Sequence, residues 1–246
     1  MKRSSTGGAT WGELVVVHGE STAAKHVVIG NPAPVAVDTQ PGKVVLVFCR
    51  NNNAVGVTAS LDWGLTWATV RYIKSANPNG SWPWVATGPP QGIQLPSGRI
   101  VVGSDHHDLA GKSHFSHSMY SDDAGESWAV SNSIAGGNEA QVAVLPNGTA
   151  GHAPGTLVIH MRNPTGQRLV AWSADGASWG PAQKVVVGGR TKYAVRVFFS
   201  TLLLTLRSVD LLTLLVRRGR LVKGALSRLV AVCCSQRHST RLHALI

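Results

Sequence analysis

Short apolar runs separated by glycine, proline and asparagine make up most of the first 184 residues of this sequence. The runs are four to eight residues long, rich in valine and isoleucine, and bounded by turn-forming residues, which is the pattern of β-strands. The segments predicted as strands or hairpins are 13–18, 43–49, 55–60, 67–73, 92–102, 138–145 and 157–163. The pattern therefore predicts an all-β protein.

A turn motif recurs between these strands. The pattern Ser-x-Asp-x-Gly-x-(Thr/Ser)-Trp occupies residues 60–67 and 121–128, a shortened copy occupies 173–179, and 4–11 is a variant with Thr6 in place of aspartate. The aspartate can accept hydrogen bonds from backbone N–H groups of its own turn, and the glycine tolerates a left-handed conformation. The variant copy is expected to make a weaker turn.

The tryptophans that close these turns indicate a repeat protein. They stand at positions 11, 67, 128 and 179, so that successive copies are 56, 61 and 51 residues apart. A four-stranded propeller blade takes roughly 40 to 50 residues, to which loops are added. The spacing is typical of one blade per copy.

Charge divides the chain into two unlike parts. The formal net charge is +11, but residues 1–184 hold 12 Lys/Arg against 11 Asp/Glu, whereas 185–246 hold 11 against one. All eight tryptophans precede residue 180. We expect 1–184 to be the folded unit and 185–246 to be an unrelated or disordered basic tail, such as an out-of-frame translation. The alternative is a real basic appendage that contacts RNA or an acidic membrane.

The sequence does not indicate a secretory signal, a transmembrane segment or a metal site. The first 30 residues lack the apolar core of a secretory signal, and the most apolar window, 194–216, is interrupted by charges, so no transmembrane segment is expected. Neither the three cysteines nor the turn carboxylates have the spacing of a metal site. We therefore expect no metal, no cofactor and no nucleic-acid partner.

Two lone charges beside apolar strands are the leading candidates for chemistry. Glu139 begins the strand at 138–145, and Arg162 ends the one at 157–163. A guanidinium binds a carboxylate through two parallel hydrogen bonds, and a glutamate can polarise a neighbouring hydroxyl. The alternative is an ordinary surface ion pair. Asp105 and His107, at the exit of another strand, either line a site or belong to a solvated loop.

Together, these motifs resemble the Asp-box (BNR-repeat) exo-α-sialidases, over about residues 4–184. The matching segments are the turns at 60–67 and 121–128, Asn-Pro-Ala-Pro at 31–34, Ala-Thr-Gly-Pro at 86–89, Gly-Ile-Gln-Leu at 92–95, 137–142 and Met-Arg-Asn at 161–163. The resemblance implies a partial six-bladed β-propeller of about three to four blades. It also implies release of terminal sialic acid from glycoproteins, oligosaccharides or gangliosides.

The resemblance gives roles to individual residues. Glu139 resembles the glutamate that activates a tyrosine nucleophile, and Arg162 resembles the second arginine of the triad that binds the substrate carboxylate. Asn31, Asp105 and His107 occupy substrate-contacting positions. The chemistry implied is retaining glycoside hydrolysis with a tyrosine in place of the usual carboxylate.

The sequence also departs from the family pattern. The first and third triad arginines, the acid/base aspartate and the tyrosine nucleophile have no matching motif in this chain. We therefore expect the polypeptide alone to hydrolyse sialosides poorly. The alternative function is a non-catalytic sialic-acid-binding or scaffold propeller, which needs Arg162 but neither the aspartate nor the tyrosine.

Overall fold

The computed structural model describes residues 1–108, 110–145, 151–187 and 190–191. Regular structure consists of strands and two single-turn 3-10 helices, Lys74–Ala76 and Pro78–Gly80. No helix among these residues is both long and apolar enough to cross a bilayer. The predicted tail, 185–246, lies almost entirely outside the described residues.

Three antiparallel sheets follow one another along the chain. Sheet A contains β1 (Ile29–Ala36), β2 (Val44–Arg50), β3 (Ala54–Ser60) and β4 (Arg71–Tyr72) in sequential order. Sheet C repeats that order with β11 (Ala140–Val144), β12 (Leu157–Arg162), β13 (Arg168–Ser173) and β14 (Gln183–Lys184). A short hairpin of β15 (Val186–Val187) and β16 (Arg190–Thr191) follows.

Sheet B, between the other two in sequence, has six strands. They are β5 (Val85–Thr87), β6 (Ile93–Gln94), β7 (Ile100–His107), β8 (His114–Ser121), β9 (Ala129–Val130) and β10 (Ile134–Ala135). The path β10-β8-β7-β5 forms the sheet, while β6 adds to β7 and β9 adds to β8. The predicted all-β class is confirmed, as are the strands at 43–49, 55–60 and 157–163.

β7 supplies side chains to two of the three hydrophobic clusters of the described residues. Ile100 and Val102 pack with sheet A in a core that also holds Val47 and Met119. Val101 points the other way, into the core that contains Val142, Leu157, Ile159 and Met161 of sheet C. This follows from the two-residue period of a strand. Continued to the end of β7, the same alternation places Asp105 on the face of Val101 and His106 on the face of Ile100 and Val102.

The aspartate turns have the predicted hydrogen bonds. In the copy at 60–67, Asp62 accepts the N–H groups of Leu65 and Thr66 at 2.9 Å and the Thr66 hydroxyl at 2.5 Å. The Ser60 hydroxyl accepts the N–H of Gly64 at 2.7 Å. Gly64 has a φ of 85°, in the region that favours glycine.

The predicted strand at 13–18 is wrong. Those residues have no strand pairing beyond the exchange between Met1 and Val15, in which each N–H donates to the other carbonyl at 2.5 and 2.8 Å. Leu14, Val15 and Val16 remain 45%, 43% and 78% exposed. A single bonded pair without buried side chains does not extend into a ladder.

Candidate functional site

Four strands and their adjoining loops bring polar residues to one pocket of about 250 Å³. The side chains come from β1, the end of β7, the start of β8, the residues before β11 and the end of β12. The pocket is lined by Asn31, Trp84, Asp105, His107, His114, Asn138, Glu139, Arg162 and Pro164. All five residues predicted from the sequence to contact a substrate or take part in catalysis therefore line the same cavity.

Glu139 and Arg162 lie opposite each other at one end of sheet C. β11 and β12 pair so that Ala140 faces Met161, and the N–H of Arg162 donates to the Glu139 carbonyl at 2.8 Å. Arg162 Nη1 donates to Glu139 Oε2 at 3.2 Å. The two side chains are 55% and 41% exposed, so the pair contributes at most about 1 kcal/mol to stability. The pair is thus held in place by the strands and open to a ligand.

Asp105 is the buried carboxyl group of the pocket. The residue is 1% exposed, and its Oδ2 accepts the Trp84 Nε1–H at 3.2 Å. Its Oδ1 is buried and has no hydrogen-bond donor among the described residues. Burial raises the pKa of Asp105 to about 7; the Trp84 bond opposes the rise, the Glu139 charge adds to it and Arg162 opposes it. Asp105 is therefore poised to hold a proton near neutral pH.

Three rings form one wall of the pocket. Trp84 stacks on His107 with centroids 5.3 Å apart, and His107 meets His114 edge-on at 4.3 Å. Burial, together with the nearby His114, lowers the pKa of His107, and Asp108 opposes this effect. Asn138 Nδ2 lies 3.2 Å from His114 Nδ1, which places an amide beside the second histidine. Such a wall offers flat apolar faces and polar edges to a sugar.

Asn31 reaches the pocket through an unusual backbone conformation. Its φ is 50°, and its carbonyl accepts the Thr87 hydroxyl of sheet B. Asparagine tolerates this left-handed region better than most residues. Sheets B and C are joined nearby, because the N–H of Ala140 donates to the Gly88 carbonyl at 3.0 Å. The contacts between sheets therefore fix the pocket.

Trp84, His114, Asn138 and Pro164 were not predicted from the sequence as pocket residues. A signal for His114 was present: His107 pairs with His114 across the β7–β8 hairpin, so the hairpin register predicts that they are neighbours. Asn138 stands next to Glu139. Trp84 and Pro164 lie outside strands and carry no comparable signal.

A second, more open groove of about 660 Å³ lies between the β2–β3 turn and the 3-10 turns. Tyr72 and Lys74 are the ionisable side chains of its described lining. Tyr72 donates its hydroxyl to Glu20, and burial followed by this bond raises its pKa to about 12. None of the five predicted site residues lines this groove, so the smaller pocket remains the candidate site.

Comparisons with known proteins find relatives over most of this chain. Residues 1–203 match the BNR repeat-like domain. Human Sialidase-4 is 33% identical over 209 residues, covering 73% of this chain and 42% of that protein. This chain therefore spans less than half the length of that relative.

Solved sialidase structures share the fold. The Hadza microbial sialidase Hz136 superposes with a TM-score of 0.63 at 23% identity, over 72% of this chain and 38% of that one. The Trypanosoma rangeli sialidase in complex with sialic acid gives a TM-score of 0.56 at 19% identity, over 77% and 37%. At these identities the likeness concerns the fold alone.

Proposed function

We propose that this chain, which belongs to the BNR repeat-like (Asp-box) sialidase family, supplies part of the active site of an exo-α-sialidase. The observation that carries the proposal is the Glu139–Arg162 pair at the mouth of a pocket that also contains Asn31, Asp105 and His107. The substrate we infer is a glycan ending in sialic acid, whose carboxylate is a matched ligand for arginine.

The architecture we propose is a partial six-bladed propeller. Sheets A and C are sequential four-stranded antiparallel sheets, and sheet B has the same central order with added short strands, as expected for blades. Each aspartate turn follows the third strand along the main path of its sheet. On this basis residues 1–184 supply about three blades, and we keep 185–246 as a separate basic tail.

Arg162 would bind the carboxylate of the sugar. In the unliganded pocket its Nη1 donates to Glu139, so an incoming carboxylate competes with Glu139 for the guanidinium. Release of Glu139 frees a carboxylate oxygen at the position where a hydroxyl nucleophile must lose its proton. Glu139 would accept that proton as the nucleophile oxygen bonds to the anomeric carbon; the glycosidic bond breaks and its oxygen takes a proton from a general acid, which, like the nucleophile, has no matching motif in this chain. Asn31, Asp105 and His107 would contact the remaining groups of the sugar.

Binding of N-acetylneuraminic acid to the full chain, measured by saturation-transfer NMR and calorimetry, tests the proposal. Arg162→Ala should weaken binding about 10- to 100-fold, because a charge-assisted hydrogen bond of roughly 1.5–3 kcal/mol is lost. Lys112→Ala is the control, since Lys112 is an exposed cation on the β7–β8 loop outside the pocket lining. Equal binding by wild type and Arg162→Ala contradicts the assignment.

Turnover of a fluorogenic sialoside distinguishes the enzyme from a binding protein. Glu139→Gln keeps the size and the acceptor oxygen of Glu139 but removes its basicity, so any hydrolysis should fall at least 100-fold while ligand binding is retained. Arg162-dependent binding without turnover by the wild-type chain favours the non-catalytic sialic-acid-binding propeller instead.

A further inference from the structure

Asp105 has an unmet hydrogen-bonding capacity inside the proposed site. One carboxyl oxygen, Oδ2, accepts the Trp84 indole N–H, while Oδ1 has no donor among the described residues although the residue is 1% exposed. An ionised carboxylate buried in this way leaves a charged oxygen without solvation, which costs several kcal/mol in general. A neutral carboxyl group removes that penalty and turns the unpartnered oxygen into a donor.

Charged and ionisable side chains surround Asp105 on several elements. Glu139 and Arg162 approach from the ends of β11 and β12, and His107 follows on β7 itself. His114 at the start of β8 lines the same pocket. From β2, the buried Cys49 has its pKa raised to about 11, chiefly by burial, so it is a neutral thiol at physiological pH.

Of the charges that act on Asp105 itself, Glu139 and Arg162 oppose each other. The partly buried Arg168, on β13, acts on Glu139 and Arg162. An ionised Asp105 places a second carboxylate in the pocket, and an anionic ligand adds a third negative charge there. Like charges a few ångströms apart in a partly buried site repel strongly.

We propose, on the premise of the sialic-acid site above, that Asp105 is a specificity-determining residue that acts as a neutral acid. Its Oδ1–H donates to an uncharged acceptor oxygen of the bound sugar, and the site accepts an anionic sugar only while that proton is present. The ligand thus has a carboxylate at Arg162 and a hydroxyl or acyl carbonyl oxygen at Asp105. No covalent bond changes, and the proton stays on Asp105.

The expected pH dependence follows from this assignment. Burial raises the pKa of Asp105 to about 7, so the binding-competent form predominates below that pH and is depleted above it. Because only the protonated fraction binds, the dissociation constant should rise about tenfold between pH 6 and pH 8. Binding is therefore tightest below the pKa of Asp105 and weakens as pH rises through it.

The test measures binding of N-acetylneuraminic acid by the full chain from pH 5.5 to 8.5. Asp105→Asn cannot ionise, still accepts from Trp84 and still donates an N–H, so its affinity should stay near the acid-side value at every pH. Asp105→Leu has a similar volume but no donor, and should bind at least tenfold more weakly throughout. The double variant His107→Gln/His114→Gln removes the other ionisable side chains on this wall. Whatever its affinity, its dissociation constant should still rise about tenfold between pH 6 and pH 8.

A direct measurement does not depend on the variants folding. The carboxyl carbon of Asp105, assigned in ¹³C NMR spectra of the wild-type chain, should titrate above pH 6, and added ligand should move the midpoint upward. A midpoint near 4 overturns the proposal. Binding that depends on Arg162 but not on pH also overturns the proposal for Asp105. It would leave the proposed sialic-acid site intact. Absence of binding by wild type and Asp105→Asn at every pH rejects both the site and the inference.

Discussion

At the scale of single residues, one carboxylate closes each aspartate turn. Asp123 accepts the N–H of Ser127 at 2.8 Å and its hydroxyl at 2.6 Å, and it also accepts the Ser121 hydroxyl at 2.8 Å. The bond from the Ser127 hydroxyl, followed by weaker bonds within the turn, lowers the pKa of Asp123 to about 2, against the effect of burial. The turn thus stabilises the ionised form.

Replacement of Asp123 by asparagine should lower stability in a pH-dependent way. At pH 7 the free energy of unfolding should fall by about 1 kcal/mol, the usual value for losing a capping carboxylate. Because the folded pKa is depressed, this contribution is complete above pH 4 and disappears as pH falls toward 2. Urea unfolding at several pH values measures this contribution. Asp38→Asn is the control, since Asp38 is an exposed carboxylate outside the aspartate turns. A difference that persists unchanged at pH 2 would show that the charge is irrelevant.

The sequence predicted these turns in detail because they are local. In the variant copy, Thr6 Oγ1 accepts the Thr10 N–H at 2.9 Å, and the Ser4 hydroxyl accepts the Gly8 N–H at 2.8 Å. A hydroxyl thus replaces the carboxylate within the same eight-residue frame. No residue distant in sequence is needed for the geometry, so spacing alone carries the prediction.

At the scale of elements, prediction succeeded where burial is strong. The segment at 43–49 became β2 (Val44–Arg50), whose first six residues are all buried. The segment 13–18, with four consecutive apolar residues, formed no strand, because periodicity records a preference for pairing but not whether a partner exists. The pocket shows the same limit: Glu139 and Arg162 stood at predicted strand ends, whereas Trp84 enters from a loop whose path depends on tertiary packing.

Gly103 lets β7 and β11 approach at the base of the site. A Cβ at this position would lie 2.4 Å from the Ala140 carbonyl oxygen, well inside contact distance, and the obstacle is backbone. Gly103→Ala should therefore separate sheets B and C, lower the free energy of unfolding by about 1–3 kcal/mol and weaken sugar binding. Gly19→Ala is the control, since a Cβ added at Gly19 would have no atom within 4 Å beyond its chain neighbours. Thermal unfolding and ligand titration measure both effects; equal behaviour of the two variants would exclude a tight approach.

At the scale of the whole molecule, the two faces of β7 contribute to different buried regions. One face presents Asp105 to the pocket, and the other presents His106 to Trp82 and His117. His106 Nδ1 lies 3.0 Å from Nδ1 of the fully buried His117, so one ring must donate and the other accept. Trp82 stacks on His106 with centroids 3.7 Å apart. The pair is compatible with only one shared proton.

Acid should therefore loosen the molecule through this pair. Burial, reinforced by His107, lowers the pKa of His106 to about 4, and burial lowers that of His117. An unfolded histidine takes up its proton near pH 6.5, so the full stability of the folded state is present above that pH. The free energy of unfolding then falls as pH drops toward 4, by about 3 kcal/mol for His106.

His106→Gln removes one titrating ring while leaving His117 a partner, so the loss of stability between pH 6.5 and 4 should shrink by about 3 kcal/mol. Unfolding in urea across this interval measures the slope, and His26→Gln, an exposed histidine, should leave it unchanged. An unchanged slope in His106→Gln would mean that the buried His106–His117 pair does not respond to acid. The pH response of stability would then have to come from the carboxylate turns, whose loss begins only below pH 4.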